Sequence, residues 1–188
     1  MVQTVCRRYL EMGYVVANLE YRRQGIAPAA EEAIEAVKWV SANIGHHAGD
    51  ARNVVLHGES AGGHLALMAA FTSGIPVRAV VNFFGIADLA AMRDDANVRK
   101  GLPSDGGVER KLSPLTHVRP GVCAVLSVHC VADPVVPFEQ SAVLTERLRE
   151  AGVRAEIVPV PGGEQSYTEL EMDAAFARVR TFLETLPA

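Results

Sequence analysis

One serine carries two glycines, each two residues away: Gly58-Glu59-Ser60-Ala61-Gly62. Asn53-Val54-Val55-Leu56-His57 before it is a short apolar run with strand character. Gly63-His64-Leu65-Ala66-Leu67-Met68-Ala69-Ala70 after it has helix character. The spacing predicts a strand, a sharp turn and a helix, which together lift the Ser60 hydroxyl above the end of a sheet. In such a turn the N–H of the next residue, Ala61, points at charge that develops on a carbonyl oxygen. Glycine at 58 and 62 is expected to be close-packed around the turn. This arrangement demands a sheet with helices packed on it, because an isolated strand–helix unit cannot bury its apolar face.

The rest of the chain supplies that sheet. Val2, Val5, Cys6, Tyr9 and Leu10 recur at helical spacing, and Gly13 is placed to end the helix. Tyr14 to Tyr21 is β-rich. Pro28 opens a second helix with Ala30, Ala33, Ile34, Val37, Val40 and Ile44 on one face. Further strands are expected over 79–84, 124–130 and 155–160, and a helix over 138–151. A last helix puts Phe176, Val179, Leu183 and Leu186 on one stripe. Residues 86–120, rich in charge, Gly and Pro, read as an irregular, cap-like excursion from a single domain spanning 1–188. Strands alternating with helices imply a parallel sheet covered on both faces.

Composition narrows the function. At 49% hydrophobic residues the 188-residue chain has material for a sizeable core. A net charge of −4 gives no electrostatic footprint for nucleic acid. No apolar run approaches the length of a membrane span. Charge interrupts the N-terminal stretch where a signal peptide would have its apolar core. Cys6, Cys123 and Cys130 are scattered, which favours free thiols, a reducing compartment and a cytoplasmic location. No His/Cys/carboxylate cluster suggests a metal, and no cofactor motif is present. His46-His47 reads as a solvated helix end.

In order along the chain, several motifs are similar to those of the α/β-hydrolases, in the carboxylesterase and arylformamidase-like branch that includes feruloyl-esterase-like and hormone-sensitive-lipase-like enzymes. They are Gly13-Tyr14-Val15-Val16-Ala17-Asn18 leading to Tyr21-Arg22, then Ala36-Val37-Lys38-Trp39-Val40, and Gly58-Glu59-Ser60-Ala61-Gly62-Gly63-His64-Leu65. Ser113-Pro114-Leu115-Thr116-His117-Val118 and His129-Cys130-Val131-Ala132-Asp133-Pro134-Val135-Val136-Pro137 complete the set. The resemblance implies a three-layer α/β-hydrolase-type parallel sheet, here truncated to about five strands. It implies hydrolysis of a small ester or acyl amide, with Ser60 as nucleophile, the Ala61 N–H at the oxyanion and Asp133 as acid. Asp88 is a fallback acid whose plainer reading is a helix cap.

Two departures qualify that expectation. The family's histidine belongs in the loop Pro161-Gly162-Gly163-Glu164-Gln165-Ser166-Tyr167, where Gln165 stands instead. An amide has no usable basicity near neutral pH. Glu164 next to it is a weak substitute base. His57, His64, His117 and His129 all read as structural. Relatives also carry a Gly-rich oxyanion loop after a third strand, which would lie between Tyr14–Tyr21 and Asn53–His57. This chain is expected to begin after it. The expectation is then either direct pairing of those two runs, or a gap near 10 Å, about two strand spacings. A preceding segment, a second copy or another chain would fill such a gap. The sequence therefore reads as an ester hydrolase by descent with impaired turnover. The rival readings are a non-catalytic pseudo-hydrolase that binds a small apolar ligand or partner, and a C-terminal piece of a longer esterase.

Overall fold

The structure, a computed structural model, describes residues 2–102, 107–162, 165 and 167–187. Four strands form one parallel sheet in the order β1-β2-β3-β4: β1 (Val55–Glu59), β2 (Ala79–Phe83), β3 (Ala124–Cys130) and β4 (Ala155–Val160). Each strand pairs with the next in sequence, Val55 opposite Ala79, Ala79 opposite Ala124 and Val125 opposite Ala155. Parallel neighbours need a crossover, and helices supply it. These are α3 (Ala61–Thr72) after β1 and α6 (Glu139–Glu150) before β4. The chain opens with α1 (Val2–Glu11) and α2 (Ile26–Asn43) and closes with α7 (Glu169–Glu184).

Alternation along β2 sorts the core into two layers. Ala79, Val81 and Phe83 face α1 and α7, where Val5, Tyr9, Phe176, Val179 and Phe182 pack. Val80 faces α3 and α6, against Leu67, Phe71, Leu144 and Leu148. Ala29 and Ala30 of α2 in turn pack on Leu65 of α3. The helix ends follow the local sequence. Gly13 adopts φ +86° just after α1, and its N–H bonds to the Leu10 carbonyl. Thr168 and Glu171 form a reciprocal capping box on α7. Among the described residues no helix is long and apolar enough to cross a membrane, and no group of side chains could hold a metal ion.

Three expectations need correction. Among the described residues the sheet has four strands, not five: Tyr14 to Tyr21 belongs to no ladder. A strand exists by its hydrogen bonds, and among the described residues this run has no partner strand. The segment 86–120 is less irregular than its composition suggests. It contains α4 (Ala96–Gly101), α5 (Val108–Leu112) and two short 3-10 turns, Ala90–Met92 and Pro114–His117. Leu89, Met92, Val98 and Val136 bury one another there. Gly62, finally, is not crowded. A methyl group at Gly58 would overlap the Gly62 carbonyl, whereas one at Gly62 would meet open space. The second tight position is Gly63, whose added carbon would lie 2.8 Å from the Gly85 Cα.

Candidate active site

Ser60 joins β1 to α3 with φ +52° and ψ −118°, a conformation that L-residues rarely adopt. Holding it costs roughly 1–3 kcal/mol. The surroundings over-determine it: the Ser60 N–H bonds to the Phe83 carbonyl at 2.9 Å, and its carbonyl accepts from His64 N–H at 3.1 Å. Glycine at 58 lets the first turn of α3 fold back against β1 without a clash. Ala61 is the first residue of α3, where a helix leaves its N–H without an internal acceptor.

Asp133 lies three residues beyond β3 and is buried at 8% exposure. Its Oδ1 accepts from the Val135 N–H at 2.8 Å and the Val136 N–H at 2.9 Å. Its Oδ2 accepts from the Gln165 Nε2 at 3.0 Å. A carboxylate only accepts, so the amide nitrogen must face it and the amide oxygen points away. Gln165 lies beyond β4. Ser60, Asp133 and Gln165 thus follow the carboxyl ends of three parallel strands and share one edge of the sheet, where open α/β sheets bind ligands. The structure brings Asp133 and Gln165 into contact. Among the described residues no hydrogen bond joins either to the Ser60 hydroxyl. Glu164 lies outside the described residues.

The histidines take scaffold positions. His64 Nδ1 lies 3.0 Å from the Ile86 carbonyl, and burial lowers its pKa from the usual range to about 4. His117 Nε2 lies 2.7 Å from the Lys111 carbonyl. His57 Nδ1 lies 3.2 Å from the Tyr9 hydroxyl. Asp88 Oδ1 accepts from the Ala90 and Ala91 N–H groups, a cap on the short turn it precedes.

His129 does more than close a strand. Its Nε2 donates to the Val136 carbonyl at 2.9 Å, so its Nδ1 accepts from the Ser141 hydroxyl at 2.7 Å. The same Nε2 is 3.5 Å from Asp133 Oδ2. Burial holds its pKa below the ordinary histidine value, against the opposing pull of the Val136 carbonyl and Asp133. A neutral imidazole therefore pins both ends of the Asp133 loop. The four-residue spacing from His129 to Asp133 was the only local signal of this clamp; its other partner, Ser141, comes from α6.

Comparison with known proteins follows the same lines. The sequence profile of the BD-FAE family matches residues 1–148. The chain is 25% identical over 170 residues to the esterase LipQ of Mycobacterium tuberculosis, covering 77% of this chain and 40% of LipQ. It is 25% identical to the probable isoprenylcysteine alpha-carbonyl methylesterase ICME of Oryza sativa, covering 96% of this chain and 56% of that protein. The chain thus spans about half the length of these curated relatives. Among solved structures, the propionate-bound esterase 2 of Thermogutta terrifontis superposes with a TM-score of 0.74 at 26% identity, covering 88% of this chain and 69% of the esterase. A truncated carbohydrate esterase from gut microbiota superposes with a TM-score of 0.69 at 23% identity, covering 84% and 67%.

Proposed function

The chain belongs to the BD-FAE family, and on that premise we propose that it carries the nucleophile and acid of a carboxylic-ester hydrolase whose turnover is impaired. Ser60 attacks an acyl carbonyl of a small ester or acyl amide. The Ala61 N–H receives the oxyanion. Asp133 is the acid that would orient a histidine, and Gln165 occupies that histidine's place. One observation carries this reading: at the sheet edge that bears the strained serine turn, the buried acid is held by an amide at 3.0 Å. The amide keeps the hydrogen bond to the acid and loses the basicity. Its free oxygen can accept a hydrogen bond from a serine hydroxyl but does not take the proton. Loss of the base in a triad costs several orders of magnitude in rate.

Relatives named as esterases support the reaction class. The Thermogutta esterase 2 has structures with propionate bound and phosphoramylated by tabun, which supports a small acyl group and a nucleophilic centre in that fold. The test is a fluorophosphonate probe followed by peptide mapping. Slow, stoichiometric labelling at Ser60, lost in Ser60→Ala, is the expected result. The Gln165 bond also favours a second reading, a non-catalytic binding module. A protein of that kind stays unlabelled at Ser60 yet gains thermal stability with a small apolar acyl ligand, by about 2.7 kcal/mol at a hundredfold excess over Kd.

A further inference from the structure

Among the described residues three other than glycine have positive φ: Ala48, Ser60 and Phe84. Ala48 ends a 3-10 turn in the left-handed conformation common at helix ends. Ser60 makes the nucleophile turn. Phe84, at φ +42°, belongs to neither class. It directly follows β2, is 2% exposed and carries a Cβ that makes this backbone costly where glycine would fit freely. A bulky residue persists in such a conformation only where its surroundings over-determine it, and residues of this kind cluster at functional sites.

The surroundings of Phe84 hold it from three sides. Its N–H bonds to the Val128 carbonyl of β3 at 3.0 Å. The buried Asn82 side chain accepts from the Gly85 N–H at 3.1 Å and donates to the Ser127 hydroxyl at 3.2 Å. A side-chain carbon at Gly85 would lie 2.7 Å from the Gly63 carbonyl carbon, so the turn is pressed against the start of α3. It cannot relax without moving the helix that begins at the nucleophile.

The strained backbone changes where the ring goes. In a regular strand successive side chains point to opposite faces. Phe84 instead joins Phe83 in the layer of α1 and α7. There its ring centroid lies 6.4 Å from the His129 imidazole and 5.7 Å from the Tyr167 ring, separations at which aromatic rings attract one another. His129 is the clamp of the Asp133 loop. Tyr167 lies two residues beyond Gln165 and also packs on Phe83 at 5.8 Å. The Phe83 carbonyl, one residue back, accepts from the Ser60 N–H. A single turn after β2 therefore touches the segments that follow β1, β3 and β4. Among the described residues the Gln165 side chain has one hydrogen bond, to Asp133, so its place depends on how these two loops are set against each other.

We propose that Phe84 is a positioning residue of the candidate site. Its ring, turned by the strained backbone, wedges between His129 and Tyr167 and fixes the acid loop and the Gln165 loop relative to the Ser60 turn. The role rests on the reading of Asp133 and Gln165 as the acid and the degenerate base position. Its readout needs no turnover, so an unreactive Ser60 would overturn that reading and leave this result standing.

The test is solvent exchange, by proton NMR, of two hydrogen-bonded side-chain protons: the Gln165 Nε2–H on Asp133 and the His129 Nε2–H on the Val136 carbonyl. Circular dichroism checks that each variant folds. Phe84→Leu keeps bulk and removes the ring, and both protons should exchange at least about tenfold faster. Tyr167→Leu leaves the strained turn intact; the Gln165 proton should speed up by the same factor and the His129 proton by less than about twofold. Phe182→Leu removes a ring of the same core layer at the far end of α7, and both protons should change by less than about twofold. Phe84→Gly, which takes a positive φ without strain, replaces the leucine variant if that one does not fold. A folded Phe84 variant that keeps both protons slow would overturn the proposal, because the ring would then support neither loop. So would a Phe182→Leu protein that frees them equally, which would mean general loosening of the core. A Tyr167→Leu protein that frees both protons or neither would overturn it as well, because Phe84 would then not act on the two loops separately.

Discussion

β2 and β1 are adjacent strands of the same length, yet they have different fates. Every residue of β2 is buried, between β1 and β3 and between two helical layers. β1 has one buried residue of five and an open outer edge. The difference lies in the neighbours as well as in the strands' own sequences, Ala-Val-Val-Asn-Phe in β2 against Val-Leu-His-Gly-Glu in β1. A ladder on both sides closes the backbone and brings side chains from both layers onto the strand. A ladder on one side leaves half of the backbone groups and much of the apolar surface facing a cavity. The nucleophile turn sits at the end of the less protected strand, so the open edge and the candidate site are one structural problem.

Substitutions can break this comparison. Leu126 in β3 is fully buried, and Leu126→Ala should cost about 2–5 kcal/mol in chemical denaturation. Leu19→Ala beside the open edge of β1 should change stability by less than about 0.5 kcal/mol. Equal effects would mean that the open edge is closed in solution. Glycines sharpen the point at the turn itself. Gly58→Ala should cost about 3 kcal/mol or more and abolish labelling of Ser60, because its methyl group overlaps the Gly62 carbonyl. Gly62→Ala, four residues away in α3 with open space around it, should be neutral or stabilise by up to about 1 kcal/mol.

Acid should probe the closed side of the molecule. His64 is buried with a pKa lowered to about 4, so the unfolded chain takes its proton first. Its contribution is intact above about pH 6.5 and is lost as pH falls toward 4. From pH 7 to 4.5 it should remove about 2.5 kcal/mol of unfolding free energy, measured by urea titration. His64→Gln should flatten most of that slope. His129, also lowered mainly by burial, acts with the same sign.

How legible this protein is in its sequence varies with how local each cause is. β2, β3 and β4 are apolar runs whose burial needs only a sheet between two layers, and they lie where the sequence pattern puts them. Tyr14 to Tyr21 has the same pattern and forms no strand, because periodicity reports which side chains prefer burial and not whether a partner ladder exists. In 86–120, charge and glycine mask short helices that are held by Leu89, Met92 and Val98 meeting Val136 from a distant loop. The Ser60 turn is legible because its strain is met by glycines within five residues. The pairing of Asp133 with Gln165 is readable from chain order within a recognised family. The His129–Ser141 bond is not, since nothing local ties a strand end to a helix twelve residues on.

The central claim is that Gln165 silences a site that Ser60 and Asp133 still define. Initial rates of p-nitrophenyl butyrate hydrolysis by the wild-type chain, Gln165→His and Gln165→His/Ser60→Ala test it directly, with circular dichroism confirming that all three fold. The account predicts at least about a tenfold gain in Gln165→His and its complete loss in the double variant. A folded Gln165→His protein with no gain, or a gain that survives removal of the Ser60 hydroxyl, would contradict it.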